Sequence, residues 1–476
     1  MRRLSVLFLS MHFLGLLYAS STHVVPQLKA NMTLSYPTPQ EVDTMEEMFS
    51  KGDFYGRFRS HYFWSTKGKK HYVYGVGGSL VFKSAYLNGF GFTTGLYSTQ
   101  NPWHMKDEDA VLYKAGKGVL NRYEVLTEGK YGINTLAQAY LEYRNEALSL
   151  KAGRLIYESF LTKSNDTKMI PNTFEGVTFT SKNIADTTVT TAFLSRQKLR
   201  DHTSFHHLLA YDDGAEPYAK YRQNDDTGMH QGLTLSKLQA KGIDDKLMVL
   251  EVKNSTIDNF TWIFNYTALP HLISSAMIEA KYTFHVGEYR ISPVVRVMKQ
   301  FDDGAGNIGG ANLRTHTFGY SNPESLEATF FAAKIDVAQE AWKLRFGYTQ
   351  VADKGDIVAP WRGAPTGGFT RAMGQYNWYA NTKSYMLRAD YHFDKLGVDA
   401  FMRYVVQDFD DYKSGVQADS QIVTLNLMKK FENISGLYVK TRMAHVSGDA
   451  HTIAGDGTLK RDPSYNEFRF EINYLF

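Results

Sequence analysis

YNEFRFEINYLF, residues 465–476, closes the sequence. Phe468, Phe470, Ile472, Tyr474 and Phe476 take every second position, and Glu467, Arg469, Glu471 and Asn473 fill the gaps. Period two is the period of a strand, so this segment presents one apolar and one charged face. The same alternation starts at Asp53. Phe54, Phe58, Tyr62 and Trp64 oppose Arg57, Arg59 and His61. Later, Trp342, Leu344, Phe346 and Tyr348 oppose Lys343 and Arg345, and Tyr385, Leu387, Ala389, Tyr391 and Phe393 oppose Arg388 and Asp390.

Composition narrows what these strands build. The chain has 476 residues, of which 14% are aromatic, with 38 glycines and 12 prolines. Tyr- and Phe-rich, proline-poor sequence favours strands. Mean hydropathy is −0.36, which fits a membrane wall only if alternate residues alone face lipid. The net charge of +4 provides no field for nucleic acid. With no cysteine, disulfides, thiolate metal sites and cysteine nucleophiles are excluded.

Met1–Ser21 has Arg2 and Arg3, an apolar run from Leu4 to Tyr18, then small residues. This is the layout of an export signal, expected over 1–21. Residues 22–52 hold three prolines and no repeating pattern. They are expected to be a periplasmic lead-in with a short helix near Glu41 to Phe49.

Connections alternate between tight and long. Tight ones are expected at Lys83–Tyr86, Arg144–Ala147, Val286–Glu288 and Asp394–Leu396, and long polar ones at about 99–131, 158–174, 198–246, 301–323, 353–381 and 448–463. The pattern predicts an all-β protein: a transmembrane antiparallel β-barrel over 53–476. It would have about 18 strands, counted to within about two, with short periplasmic turns and long extracellular loops. A closed barrel pairs every backbone group and leaves no edge, so the apolar face meets outer-membrane lipid.

Two stretches resemble the OprD-type porins of Gram-negative bacteria. Leu150–Ile184 carries Asn165, Asp166, Lys168, Pro171, Thr173, Phe174, Glu175 and Gly176, similar to a family pattern N-D-x-R-x-x-P-x-T-F-E-G. Lys168 replaces the family's arginine, keeping the charge and losing the planar fork. Ser384–Asp410 resembles the family's late strand pair around D-Y-x-F and L-G-V. The resemblance implies an outer-membrane porin of 18 strands with an inward-folded third loop and passive flow. It also implies a lumenal basic ladder for carboxylate-bearing solutes such as amino acids, and recognition of terminal Phe476 by the barrel assembly machinery.

The inward positions of each strand supply such a ladder: Arg57, Arg59, Arg290, Arg296, Lys343, Arg345, Arg388, Arg403, Lys440, Arg442 and Arg469. A row of weak cationic sites lowers the entry barrier for small anionic or zwitterionic solutes while permitting release. A lumenal arginine also often simply pairs with a neighbouring carboxylate, and Glu467, Glu471, Asp390 and Asp399 are inward as well. The constriction is expected in loop 3, with Ser159, Lys163, Asn165, Asp166 and Lys168 opposite the basic wall. Its carboxylates would then set a field across the pore. His206-His207 reads as a solvated patch. No spacing assigns a nucleophile, metal or cofactor, so no enzyme is expected. Two rival readings are a general, non-selective porin and a surface barrel whose loops bind a host or phage partner. The sequence does not separate a monomer from a homotrimer.

Overall fold

The computed structural model describes residues 25–29, 33–112, 114–210, 229–373 and 376–476. The expected export signal at 1–21 lies outside them. Eighteen long antiparallel strands close into one barrel. The first six are β1 (Asp53–Ser65), β2 (His71–Lys83), β3 (Phe90–Gln100), β4 (Gly132–Arg144), β5 (Leu148–Leu155) and β6 (Thr173–Ile184). Next come β7 (Thr187–Lys198), β8 (Leu247–Asn254), β9 (Phe260–Leu269), β10 (Ile273–Tyr282), β11 (Tyr289–Asp302) and β12 (Ala328–Ala338). The last are β13 (Trp342–Val351), β14 (Lys383–Phe393), β15 (Val398–Asp408), β16 (Ser420–Lys430), β17 (Leu437–Gly448) and β18 (Tyr465–Leu475).

Closure follows from the stretch that opened the reading. β18 pairs with β1 in the register Phe468↔Trp64, Phe470↔Tyr62 and Tyr474↔Phe58, so aromatics face aromatics on the outside. Phe476 then exchanges two backbone hydrogen bonds with Gly56, at 2.7 and 3.1 Å. Its ring lies over Gly56, where a Cβ would stand 2.0 Å from Phe476 Cζ, so only glycine fits. Phe54 and Phe58 are exposed on the outer face, whereas Arg57, Arg59 and His61 are buried inside. At the short-turn end an aromatic girdle forms, with Tyr289 against Trp342 and Tyr391 edge-on to Phe393. Such rings sit at the level of lipid headgroups.

Much of the described part of the long connections packs inward. Loop 2 (101–131) folds inward, and its Ala110, Ala115, Val119, Leu120 and Val125 pack on Phe63, Val73, Tyr97 and Ile133 of the β1–β4 wall. Loops 4 (199–246), 6 (303–327) and 7 (352–382) share a second core containing Leu208, Leu233, Leu313, Ile357, Trp361 and Trp378. His206, read from sequence as solvated, is buried, and burial pushes its imidazole pKa down. Its ring lies 4.7 Å from that of His202. Loops 1 (66–70) and 5 (270–272) are short.

The segment before β1 enters the barrel at the short-turn end. Val25, Leu28 and Leu34 pack on Tyr438, Leu475 and Met428, inward residues of β16–β18. The Tyr36 ring lies 5.1 Å from that of Tyr55, and Glu41–Val42 pairs in parallel with Tyr86–Leu87. The helix is Met45–Ser50, starting later than the sequence suggests. Thr44 caps it by accepting from Glu47 N at 3.2 Å, and Glu47 accepts in return from Asp43 N. This reciprocal cap fixes the helix start.

Candidate functional site

With the β1–β4 side filled by loop 2 and by the segment before β1, open space remains along β8–β17. A cavity of about 970 Å³ begins at the short-turn end beside Gln339 and His392 and rises past Arg290, Arg296, Lys343, Arg388 and Lys440. A second cavity of about 270 Å³ lies on the long-loop side, lined by Lys114, Lys117, Asp201 and Arg469. The two adjoin at a shared rim, called the neck below. Asn165, Thr167, Arg200, Arg362, Arg371, Tyr376, Phe401, Arg403 and Arg442 border both.

Loops 3 (156–172) and 7 build the neck together. Lys163 N donates to the Trp361 carbonyl and Gly363 N to the Leu161 carbonyl. The approach is so close that a Cβ on Gly363 would lie 2.1 Å from Leu161 O. Loop 7 is held from below by wall arginines. Arg296 donates to the carbonyls of Pro365 and Gly367, Arg345 to that of Gly368, and Arg403 to that of Arg371. From above, the buried Asp356 carboxylate accepts from Asn312 Nδ2, Leu313 N, Tyr320 Oη and Ala380 N, joining loop 7 to loop 6.

The expected constriction residues divide. Ser159 and Lys163 line the larger cavity, and Asn165 reaches the neck. Asp166 does not face the basic wall across the pore; it is docked on that wall. Its carboxylate accepts from Arg57 at 3.1 Å and Arg59 at 2.6 Å and is 6% exposed. Burial raises the Asp166 pKa against the pull of Arg59 and Arg57. Lys168 is likewise enclosed, its Nζ 5.8 Å from the Phe63 ring centre. Burial, with Arg469 and Lys117 nearby, pushes its ammonium pKa well down. The physical reason is packing: Met169 and Ile170 sit in the loop 2 core and pull the tip onto the wall.

The basic residues divide too. Arg57 and Arg59 point inward, but loop 3 covers them, and they border neither cavity. Arg57 also donates to Tyr438 Oη, and Arg59 to Asn473 Oδ1. Several others are paired on the wall: Arg296 with Glu279, Arg345 with Asp336, Arg388 and Lys343 with Asp390, and Arg469 with Glu467. Arg290 is exposed near the turn end of the larger cavity, and Lys440 borders that cavity from β17. Arg403 and Arg442 alone of the expected set reach the neck.

Sequence reasoning missed Arg200, Arg362, Arg371, Lys114 and Lys117 because they lie on loops. Arg371 stacks on Tyr376 and Trp378, at 4.7 and 4.9 Å from the ring centres. Arg362 pairs with Asp201 at 2.9 Å. Burial opposes ionisation of Asp201, but Arg362, His202 and Arg200 outweigh it and hold its pKa at about 2. Burial, and then Arg362, pushes Arg200 down to about 10. Lys117 is pushed down to about 7 by burial, against the attraction of Glu467 at 2.7 Å. The signal was present in Ala359–Ala380, where Trp361, Phe369, Trp378 and Tyr379 are too apolar for a solvated loop. Among the described residues no cluster of His, Asp and Glu is placed to hold a metal ion.

The arrangement is a pair of adjoining polar cavities inside a closed barrel. A family model for the outer membrane porin, OprD family, matches residues 134–421. Among solved structures, Pseudomonas aeruginosa OccK8 (OprE) is similar at 14% identity and TM-score 0.70, covering 90% of this chain and 99% of that one. Acinetobacter baumannii OccAB3 is similar at 14% identity and TM-score 0.69, with the same coverage. P. aeruginosa OpdK, in a crystal structure with vanillate, is similar at 13% identity and TM-score 0.68, again covering 90% and 99%. No curated protein sequence matches the chain. The family match spans more than half of the 476 residues and the barrel has that family's architecture: the chain belongs to the OprD family of Gram-negative outer-membrane porins.

Proposed function

We propose that this porin, a channel for passive diffusion, favours small polar solutes bearing a carboxylate or another anionic group. The observation that supports the reading is the neck, where five arginines and no carboxylate border both cavities. Fixed cations where the two cavities adjoin, inside a low-dielectric wall, raise the local concentration of anions and lower their barrier. The similar structure with vanillate, an aromatic carboxylate, agrees with this chemistry. Lys440 and Arg290 on the turn side, with Lys114 and Lys117 on the loop side, continue the row in both directions.

A general, non-selective pore is favoured by one feature: Arg296 and Arg388 of the wider chamber each face a carboxylate. Single-channel recording in a planar bilayer separates the readings. A reversal potential showing anion preference under a salt gradient, with benzoate or glutamate reducing the chloride current, supports selectivity. A cation-preferring or unselective current indifferent to these solutes refutes it.

A further inference from the structure

The arginines of this channel differ in what holds them. In the wider chamber, wall guanidiniums meet carboxylates: Arg296 with Glu279, and Arg388 with Asp390. At the neck the acceptors are neutral. Arg403 donates to the Arg371 carbonyl at 2.5 Å, and Arg442 to Asn426 Oδ1 at 2.9 Å and to Met373 Sδ. Arg200 donates to Thr167 Oγ1 and the Asn165 carbonyl, at 3.3 and 3.5 Å. Among the described residues, none of these three has a carboxylate within ion-pair distance. Arg362, by contrast, pairs with Asp201 at 2.9 Å.

Neutral acceptors orient a guanidinium without cancelling its charge. The neck therefore keeps at least three positive charges, while the chamber beneath it is largely balanced. Aromatic faces also hold the forks: Arg403 lies 5.3 Å and Arg388 4.1 Å from the centre of the Phe401 ring. Several fixed cations around one aperture repel one another, and a solute relieves that repulsion in proportion to its own charge. A monoanion answers one fork, whereas a solute with two separated anionic groups can engage two. A zwitterionic amino acid brings a cation into the same ring and gains least.

We infer that the neck formed by Arg200, Arg403 and Arg442 discriminates by charge number, preferring solutes with two or more anionic groups over monocarboxylates and zwitterions. The di- and tricarboxylates and the phosphate monoesters share this chemistry. The inference rests on the anion-favouring reading above and narrows it.

The test uses the full-length porin in a planar bilayer at pH 7. Propionate, succinate, propane-1,2,3-tricarboxylate, phosphoglycolate and glycine are added separately to one side, and the concentration that halves the chloride current is read. Succinate and phosphoglycolate are expected to act at concentrations at least tenfold below propionate, equivalent to about 1.4 kcal/mol. The tricarboxylate should act at or below the succinate concentration, and glycine should be weakest. Arg403→Gln and Arg442→Gln should each reduce the succinate-to-propionate ratio, whereas Arg403→Lys, which keeps the charge, should retain most of it. If a variant does not fold, raising the salt in the native channel makes the same comparison, because screening collapses the ratio. Equal action of propionate and succinate in an anion-preferring channel overturns this inference and leaves the broader reading intact. A cation-preferring channel unaffected by any of these solutes overturns both. Action by succinate without phosphoglycolate confines the class to carboxylates.

Discussion

Replacing Asp166 with asparagine should release the tip of loop 3. The carboxylate accepts from Arg57 Nη1 at 3.1 Å and Arg59 Nη1 at 2.6 Å, in a place almost closed to solvent. The amide keeps the shape but presents an N–H₂ toward a guanidinium donor and leaves two buried cations facing each other. Removing one partner from a buried ion pair costs about 3–5 kcal/mol. The lower end applies, because Arg57 keeps Tyr438 and Arg59 keeps Asn473. At 1.4 kcal/mol per tenfold, about 3 kcal/mol moves the docked-to-undocked ratio roughly 100-fold. Lys168 reports this directly. It is 1% exposed when docked, whereas Lys163, on the same loop, lines the open chamber. A small amine-reactive ester entering the pore should acylate Lys163 in both proteins and Lys168 appreciably only in the variant, with site occupancies read by mass spectrometry. An unchanged Lys168-to-Lys163 ratio in a fully folded Asp166→Asn barrel would refute the anchoring role.

Gly363→Ala should force loop 7 away from the Leu161 carbonyl and change the single-channel conductance, since a Cβ there would lie 2.1 Å from that oxygen. Unaltered conductance would show that the two loops do not set the aperture together. Asp356→Asn should loosen loop 6 from loop 7 by about 1–3 kcal/mol, because its amide N–H₂ would face donor groups now satisfied by oxygen. Faster amide exchange in 311–320 is the readout, and unchanged exchange counts against the tie. Burial pushes the Asp356 pKa up to about 6. A raised carboxyl stabilises docking fully below the unfolded value near 4 and loses that contribution as pH rises through 6. Exchange of 311–320 should therefore quicken from pH 4 to 7 after correction for the intrinsic rate. Gly56→Val should block the seat of the Phe476 ring and sharply lower the yield of heat-resistant barrel; a normal yield would contradict the closure described.

The wall was legible because its code is local. From Phe54 to Tyr474 each strand sorts its own side chains by parity, so inward Arg403 and outward Met402 are distinguished without knowing any partner strand. Strand number followed from turn chemistry and from the even count that returns both ends to one side. Where the loops go was not written in parity. Asp166 looked like a pore-lining carboxylate because its loop was known to fold inward, but whether it faces water or Arg59 depends on Met169 and Ile170 finding the apolar surface of loop 2. Arg200 and Arg371 come to the neck through contacts between segments more than 150 residues apart. The apolar content of Ala359–Ala380 was a readable warning that this loop is enclosed, and Tyr36, which enters the lumen, gave no such signal. The charge pattern of the strands was readable, but the distinction between a paired and an unpaired arginine is a matter of distances.

Loop 3 lies across the joint between the two ends of the chain. Asp166 holds Arg57 and Arg59 of β1, and Arg59 in turn holds Asn473 of β18. The receiving surface is therefore completed only when the last strand meets the first. This sets an order of events in time. While the sheet is open the tip of the loop has half a surface to dock on, and the aperture it borders is undefined. A barrel that has not joined its ends therefore lacks the Asn473 support beneath Arg59, and its loop 3 is less firmly seated.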